Sequence, residues 1–250
     1  MSRPVPSLWP REHGAYAQLG VALVAGLILA PNVRCLGQGL VTLALFLASE
    51  PLLQLLGRRR EPLPRAAAWR RLALLGGLAA LGGTAWMGVP AWRMLSLLPA
   101  AGLGLGLFAL FLAGRERTAA GEILAAWTFA AAVLPMGVIA GAGVRGTCRL
   151  ALCLAAVATL GTVLVHGHLR APRRPGARWL AVLLGAGLCV GGWALAGHGR
   201  LPFRTWLAFV PMTLAALGVA VFPPAPWRLR RVGWAAAACA LAGGVLAAVS

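Results

Sequence analysis

The chain contains no aspartate and no lysine, has a single tyrosine, and is charged at only 11% of its 250 positions. A soluble domain of this size needs a polar surface, and 60% hydrophobic residues with mean hydropathy +0.82 exclude one. Period-two alternation of polarity is also missing, which excludes a β-barrel. The five cysteines (Cys35, Cys148, Cys153, Cys189, Cys239) never fall in C-x-x-C spacing, so nothing points to a metal or redox site. They read as small apolar packing residues, with Cys35 and Cys148 close enough to one membrane surface to pair. The first apolar run follows a Glu and a His and lacks a small-x-small site, unlike a cleaved signal peptide.

What is present is a series of apolar segments about 18–22 residues long, each able to cross roughly 30 Å of hydrocarbon. They predict an all-α polytopic membrane protein with about nine spans, near 13–31, 36–57, 71–90, 94–113, 120–142, 149–169, 178–197, 203–222 and 232–249. The breaks fall on Pro, Gly and Arg, as in "GRRREPLPR" and "RAPRRPGAR". No soluble domain fits, so residues 1–250 form a single transmembrane domain.

All 23 basic residues are Arg and all five acidic residues are Glu, giving a net charge of +18. In a soluble protein that excess would point to nucleic acid. Here the arginines lie in short loops, so topology accounts for them and no nucleic-acid role is expected. About 17 fall on the side of the N-terminus and about six on the other. That bias puts the N-terminus in the cytoplasm and, with nine spans, the C-terminus outside. Trp9, Trp69, Trp179, Trp227 and Trp234 fall near the basic side, as an interfacial belt does.

Ionisable residues inside spans cost about 2.5–3.5 kcal/mol each on insertion scales, so they face a cavity or a partner. Glu50, Gln54 and Arg58 recur at i, i+4 and i+8 on one face of span 2, with Pro51 expected to kink the helix. Thr159, Thr162, His166 and Arg170 form a second stripe on span 6. Either stripe is a cavity face or helix-to-helix glue. Glu122 opens span 5, seven residues after Arg115, and Arg117 lies between them. The helix dipole favours carboxylates at Glu122 and Glu12, whereas it disfavours a cation at His13, which is therefore expected neutral and held by a neighbour. Arg11, Glu12 and His13 thus form the rim of a cytoplasm-facing polar cavity. Glu50, His166 and His13 are its candidate catalytic, proton-handling groups. Arg11, Glu12, Gln54, Arg58, Arg115, Arg117, Glu122 and Arg170 are its candidate ligand-binding groups. With arginines in excess, the cavity favours an anion.

The opening motif of span 1 and the Glu50 position of span 2 correspond to those of spans 5 and 6 at an offset of about 107–116 residues. This predicts a parallel repeat of four helices plus four, over about 13–113 and 120–222, with 232–249 as an extra helix.

"PREHGAYAQLG", "ASEPLLQLLGRRR" and "RERTAAGE" resemble the recurring stretches of the YwiC-like family of bacterial membrane proteins, over about residues 10–145. Tyr16 stands where Trp is commoner. That family carries no established activity, so the resemblance implies a bacterial inner-membrane protein without naming a reaction. "AAGEILAAWTFAAAVLPMG" is similar to a Gly-x-Gly-Glu stretch of the UbiA superfamily of intramembrane prenyltransferases. This second resemblance implies a nine-helix, N-in bundle with a cytoplasm-facing cavity. Those enzymes hold Mg²⁺ and diphosphate on Asp-rich motifs in helices 2 and 6, where this chain has Glu50 and His166. Two scattered groups do not make a multi-carboxylate magnesium site, so neither a metal nor a cofactor is expected.

Three functions compete. One is a UbiA-like protein whose arginines clamp an anionic amphiphile or lipid head group, with anionic lipid at the cytoplasmic face as partner. Another is a transporter or proton-coupled carrier, which wants ionisable groups near the midplane and access from both sides. The third is a non-catalytic assembly or scaffold protein. Reporter fusions after Arg59, Arg117, Arg173 and Arg230 are expected to read cytoplasmic and a C-terminal fusion external; a cytoplasmic C-terminus would mean a different number of spans.

Overall fold

The computed structural model describes residues 13–58, 64–115, 118–170, 176–223 and 229–250. Among the described residues every regular element is a helix. They are α1 (His13–Leu29), α2 (Val33–Leu55), α3 (Arg65–Gly83), α4 (Leu97–Leu112), α5 (Ala119–Ala131), α6 (Val133–Ile139), α7 (Val144–Arg170), α8 (Ala177–Gly197), α9 (Phe203–Leu207), α10 (Val210–Val221) and α11 (Leu229–Ala248). Short 3₁₀ turns at Thr84–Trp86 and Ala91–Ser96 join α3 to α4.

Several helices are two pieces of one rod. α5 runs into α6, α9 into α10, and the second 3₁₀ turn into α4, giving nine rods among the described residues. Seven of them are long and apolar enough to cross a membrane. The other two are α1, apolar but 17 residues long as described, and α3, which has Arg65, Arg70 and Arg71 in its first two turns. The chain is a polytopic membrane bundle. The break between α5 and α6 lies three residues before Pro135, and that between α9 and α10 just before Pro211, where proline removes an intrahelical N–H. Pro51, by contrast, sits buried inside an unbroken α2.

The third rod starts at Arg65, earlier than the apolar run beginning at residue 71, because arginine is a good helix former and the basic turns extend the helix outward. The same extension carries α7 back to Val144, through Arg145 and Arg149. At the other ends, Gly57, Gly114 and Gly199 adopt left-handed backbone (φ +69, +67 and +68). Each glycine lets the next residue's N–H (Arg58, Arg115, Arg200) turn back to a carbonyl of the last turn, at 3.0, 2.9 and 2.9 Å. A glycine followed by arginine thus marks three helix ends in the sequence. Asn32 caps α2, accepting from Cys35 N–H at 3.0 Å while its Nδ2 donates to the Ala140 carbonyl at 2.8 Å, which ties α2 to the end of α6.

α7 is the hub. It packs against α5, α6, α8, α10 and α11, and its Leu150, Val157, Leu160 and Leu164 are fully buried. α1 lies against α11 and α5, and α8 against α10. All five cysteines carry free thiols, with Cys35 buried and its Sγ donating to the Gly26 carbonyl at 3.4 Å.

α3 packs chiefly against α2 through Ala68, Leu75 and Gly82, spaced by seven residues. There the two backbones nearly touch. A Cβ on Gly82 would stand 2.5 Å from the Gly37 carbonyl oxygen, and one on Gly37 would stand 2.7 Å from the Ala85 methyl. Van der Waals contact is what holds helices together in lipid, and small residues permit it. Gly82→Val is therefore expected to destabilise the protein by about 1–3 kcal/mol. Gly76→Ala, where a Cβ meets nothing within 4 Å, is expected to change stability by at most about 1 kcal/mol. Thermal unfolding of the detergent-purified variants measures both.

Candidate functional site

A cavity of about 610 Å³ opens among α1, α5, α7, α10 and α11. It exists because small residues face each other there: Gly14 and Ala17 on α1, Ala126 and Ala130 on α5, Gly161 on α7, Gly233, Ala236, Ala237 and Ala240 on α11. Its polar lining (Gln18, Glu122, Thr162, Trp234) comes from the starts of α1, α5 and α11 and the last three turns of α7. All of these are on the side where α1 begins. Deeper in, the walls are Val21, Leu154, Val157 and Met212. Thr162 and Leu154 are eight residues apart on α7, about 12 Å along the axis, so the cavity grades from a polar mouth to an apolar interior. Among the described lining residues Glu122 alone carries a charge.

The mouth is organised by the start of α5. Thr118 caps the helix, its Oγ1 accepting from Gly121 N–H at 3.1 Å. This places Glu122 in the first turn, where unpaired amides and the helix dipole favour a carboxylate. Across the α5–α7 contact, His166 Nε2 lies 3.1 Å from Glu122 Oε2. An ionised carboxylate only accepts, so with Glu122 charged the imidazole presents its Nε2–H. Glu122 is 44% exposed and His166 only 18%, so the pair joins a wet carboxylate to a sheltered ring. One turn earlier on α7, the Thr162 hydroxyl donates to Ala158 O at 3.0 Å and faces the cavity. Thr159 accepts Trp127 Nε1–H from α5 at 2.8 Å. The Thr159–Thr162–His166 stripe thus meets α5 at two points and the cavity at one.

Glu50 belongs to a second cluster. It is 3% exposed, and it interacts electrostatically with Tyr16 of α1 and Arg71 of α3. The Tyr16 ring packs edge-on to Phe46 at 5.0 Å, and Phe46 edge-on to Phe129 of α5 at 5.5 Å. Gln54 is half-buried one turn beyond Glu50, while Arg58 and Arg115 are exposed just past the ends of α2 and α4. Arg11, Glu12 and Arg117 lie outside the described residues, as do the side chains of His13 and Arg170, which open α1 and close α7. Tyr16 and Arg71 escape a reading of stripes, because one resembles an apolar position and the other a loop arginine. Arg71 stands six residues into α3 and Glu50 five residues before the end of α2, a match of depth that appears only because α3 begins at Arg65 and not at residue 71.

The residues do not fit a magnesium site of the UbiA type. Glu50 sits with Tyr16 and Arg71, His166 with Glu122, and among the described residues no three His, Cys, Asp or Glu side chains come together.

A family model described as "YwiC-like protein" matches residues 9–136. No curated protein and no solved structure matches the chain. A double-mutant cycle of Glu122→Gln and His166→Gln, read by thermal unfolding in detergent, is expected to give a coupling of about 0.2–1 kcal/mol, modest because the carboxylate is partly exposed. Additive effects would show that the two side chains do not interact.

Proposed function

The chain belongs to the YwiC-like family, and from that premise we propose that it binds an amphiphilic small molecule in the cavity among α1, α5, α7, α10 and α11. The carrying observation is the grading of that cavity, from Gln18, Glu122 and Thr162 at the mouth to Val21, Leu154, Val157 and Met212 inside. An apolar tail lies among the small and branched side chains, and the head group meets the Glu122–His166 pair. When His166 carries a proton, that pair is locally neutral. The field at the mouth then comes from the surrounding arginines, with Arg115, Arg117 and Arg170 nearest in sequence to the pair, and it favours an anionic or lipid-like head group. Arg11, Glu12, His13, Gln54 and Arg58 complete the basic rim in this reading. Glu122–His166, with Glu50 further along the bundle, is the place for a proton-dependent step.

The bundle sits in a bacterial inner membrane with its N-terminus in the cytoplasm, a reading supported by the 17-to-six division of arginines between the two sides. The mouth then opens to the cytoplasm. The four-plus-four helix repeat belongs to the same reading.

Mass spectrometry of organic extracts of the purified protein tests it. An amphiphile that co-purifies with the wild type is expected to be lost from Val157→Trp, which fills the cavity, and to survive excess chelator. Arg115→Lys or Arg117→Lys is expected to weaken its retention by about 1–3 kcal/mol, because lysine cannot reproduce a bidentate contact. Equal retention in Val157→Trp would overturn the assignment to this cavity and favour a scaffold; loss on chelation would point to a metal-dependent site.

A further inference from the structure

A second concave surface lies along α3, which packs chiefly against α2. It is a groove of about 750 Å³, lined by Leu47 of α2 and by Pro64, Ala66, Ala67, Arg70, Arg71, Leu74, Leu75 and Leu78 along α3. The α3 residues recur at intervals of four, so they form one stripe of the helix. Its order along the axis matters. Small residues come first, then two consecutive arginines, then leucines, and Arg70 and Leu78 are separated by eight residues, about 12 Å.

The two arginines are held differently. Arg71 is half-buried and interacts with Glu50 and Tyr16 in the bundle, which fixes it as the inner wall. Arg70 is exposed on the outer wall, beside Trp69, which is 63% exposed. Below them Leu74 and Leu78 are 71% and 42% exposed. Among the described residues from Pro64 to Leu78, Arg65, Arg70 and Arg71 carry charge and no glutamate does, so the head of the groove is cationic. A cationic, tryptophan-flanked head over an apolar channel matches the order of charge and apolar surface in an anionic membrane lipid.

We propose that this groove binds one anionic phospholipid, its phosphodiester between Arg70 and Arg71 and an acyl chain along Leu47, Leu74 and Leu78. The site is separate from the amphiphile cavity and does not depend on it.

Native mass spectrometry tests this with protein offered equal amounts of phosphatidylglycerol and phosphatidylcholine carrying identical acyl chains. The wild type is expected to retain phosphatidylglycerol preferentially. Arg70→Gln is expected to lower that retention about fivefold, the equivalent of roughly 1 kcal/mol for one arginine at an anionic head group. Leu74→Trp, which obstructs the channel with the charges intact, is expected to lower it as well. Arg200→Gln, in the exposed turn after α8, is expected to leave it at the wild-type level. Unfolding midpoints near that of the wild type establish that Arg70→Gln and Leu74→Trp fold. Equal retention of the two lipids, wild-type retention in Arg70→Gln or Leu74→Trp, or a dimer that Leu74→Trp dissociates would overturn the proposal, the last in favour of a second copy of the chain on α3.

Discussion

Inside hydrocarbon a backbone amide has no water to turn to, and every other feature of this protein follows from that constraint. It makes each crossing a helix. It also makes the helix ends costly, because four carbonyls per helix lose their partners there. The chain answers with glycine in the left-handed conformation after α2, α4 and α8, each followed by an arginine whose own N–H closes the last turn. The arginine side chains are exposed past each of these helix ends.

Once the backbone is satisfied, helix association depends on contact, since lipid tails solvate leucine as well as another helix does. Small residues decide how that contact is made. Where Gly37 and Gly82 face each other, α2 and α3 meet backbone to backbone and no space remains. Where Gly161, Ala126 and the Gly233–Ala240 stretch of α11 face one another across bulkier neighbours, the helices are held apart and the same smallness leaves a cavity. A Cβ at Gly161 would meet Met212 at 3.4 Å, so the methionine side chain forms part of the floor.

Polar chemistry is confined to what this packing tolerates. Glu50 is buried with an arginine and a tyrosine as electrostatic neighbours, and Glu122 sits at a helix N-terminus against a histidine. In each case a carboxylate that would be costly alone acquires a compensating group from a different helix. α1 adjoins both clusters, bringing Tyr16 to one and Gln18 to the cavity that Glu122 lines, while the Tyr16–Phe46–Phe129 ring contacts link α1, α2 and α5. The two clusters are thus bound to one framework.

The helical class and the positions of the rods were legible in the sequence, because length, hydropathy and breaker residues act locally. So was the stripe of Thr159, Thr162 and His166, which needs only the helical period. Partnerships were not. Helical spacing would put Arg115 on one face with Glu122, but Arg115 lies past the end of α4, and the group 3.1 Å from that carboxylate is His166, 44 residues away. Arg71 reads as part of a basic loop, but it forms the first turns of α3 and reaches Glu50. A period specifies which residues share a face of one helix. Which face turns toward which neighbour depends on how two surfaces interlock, here at Gly37–Gly82 and along α5 and α7, and that rotation is set only when all the helices pack together.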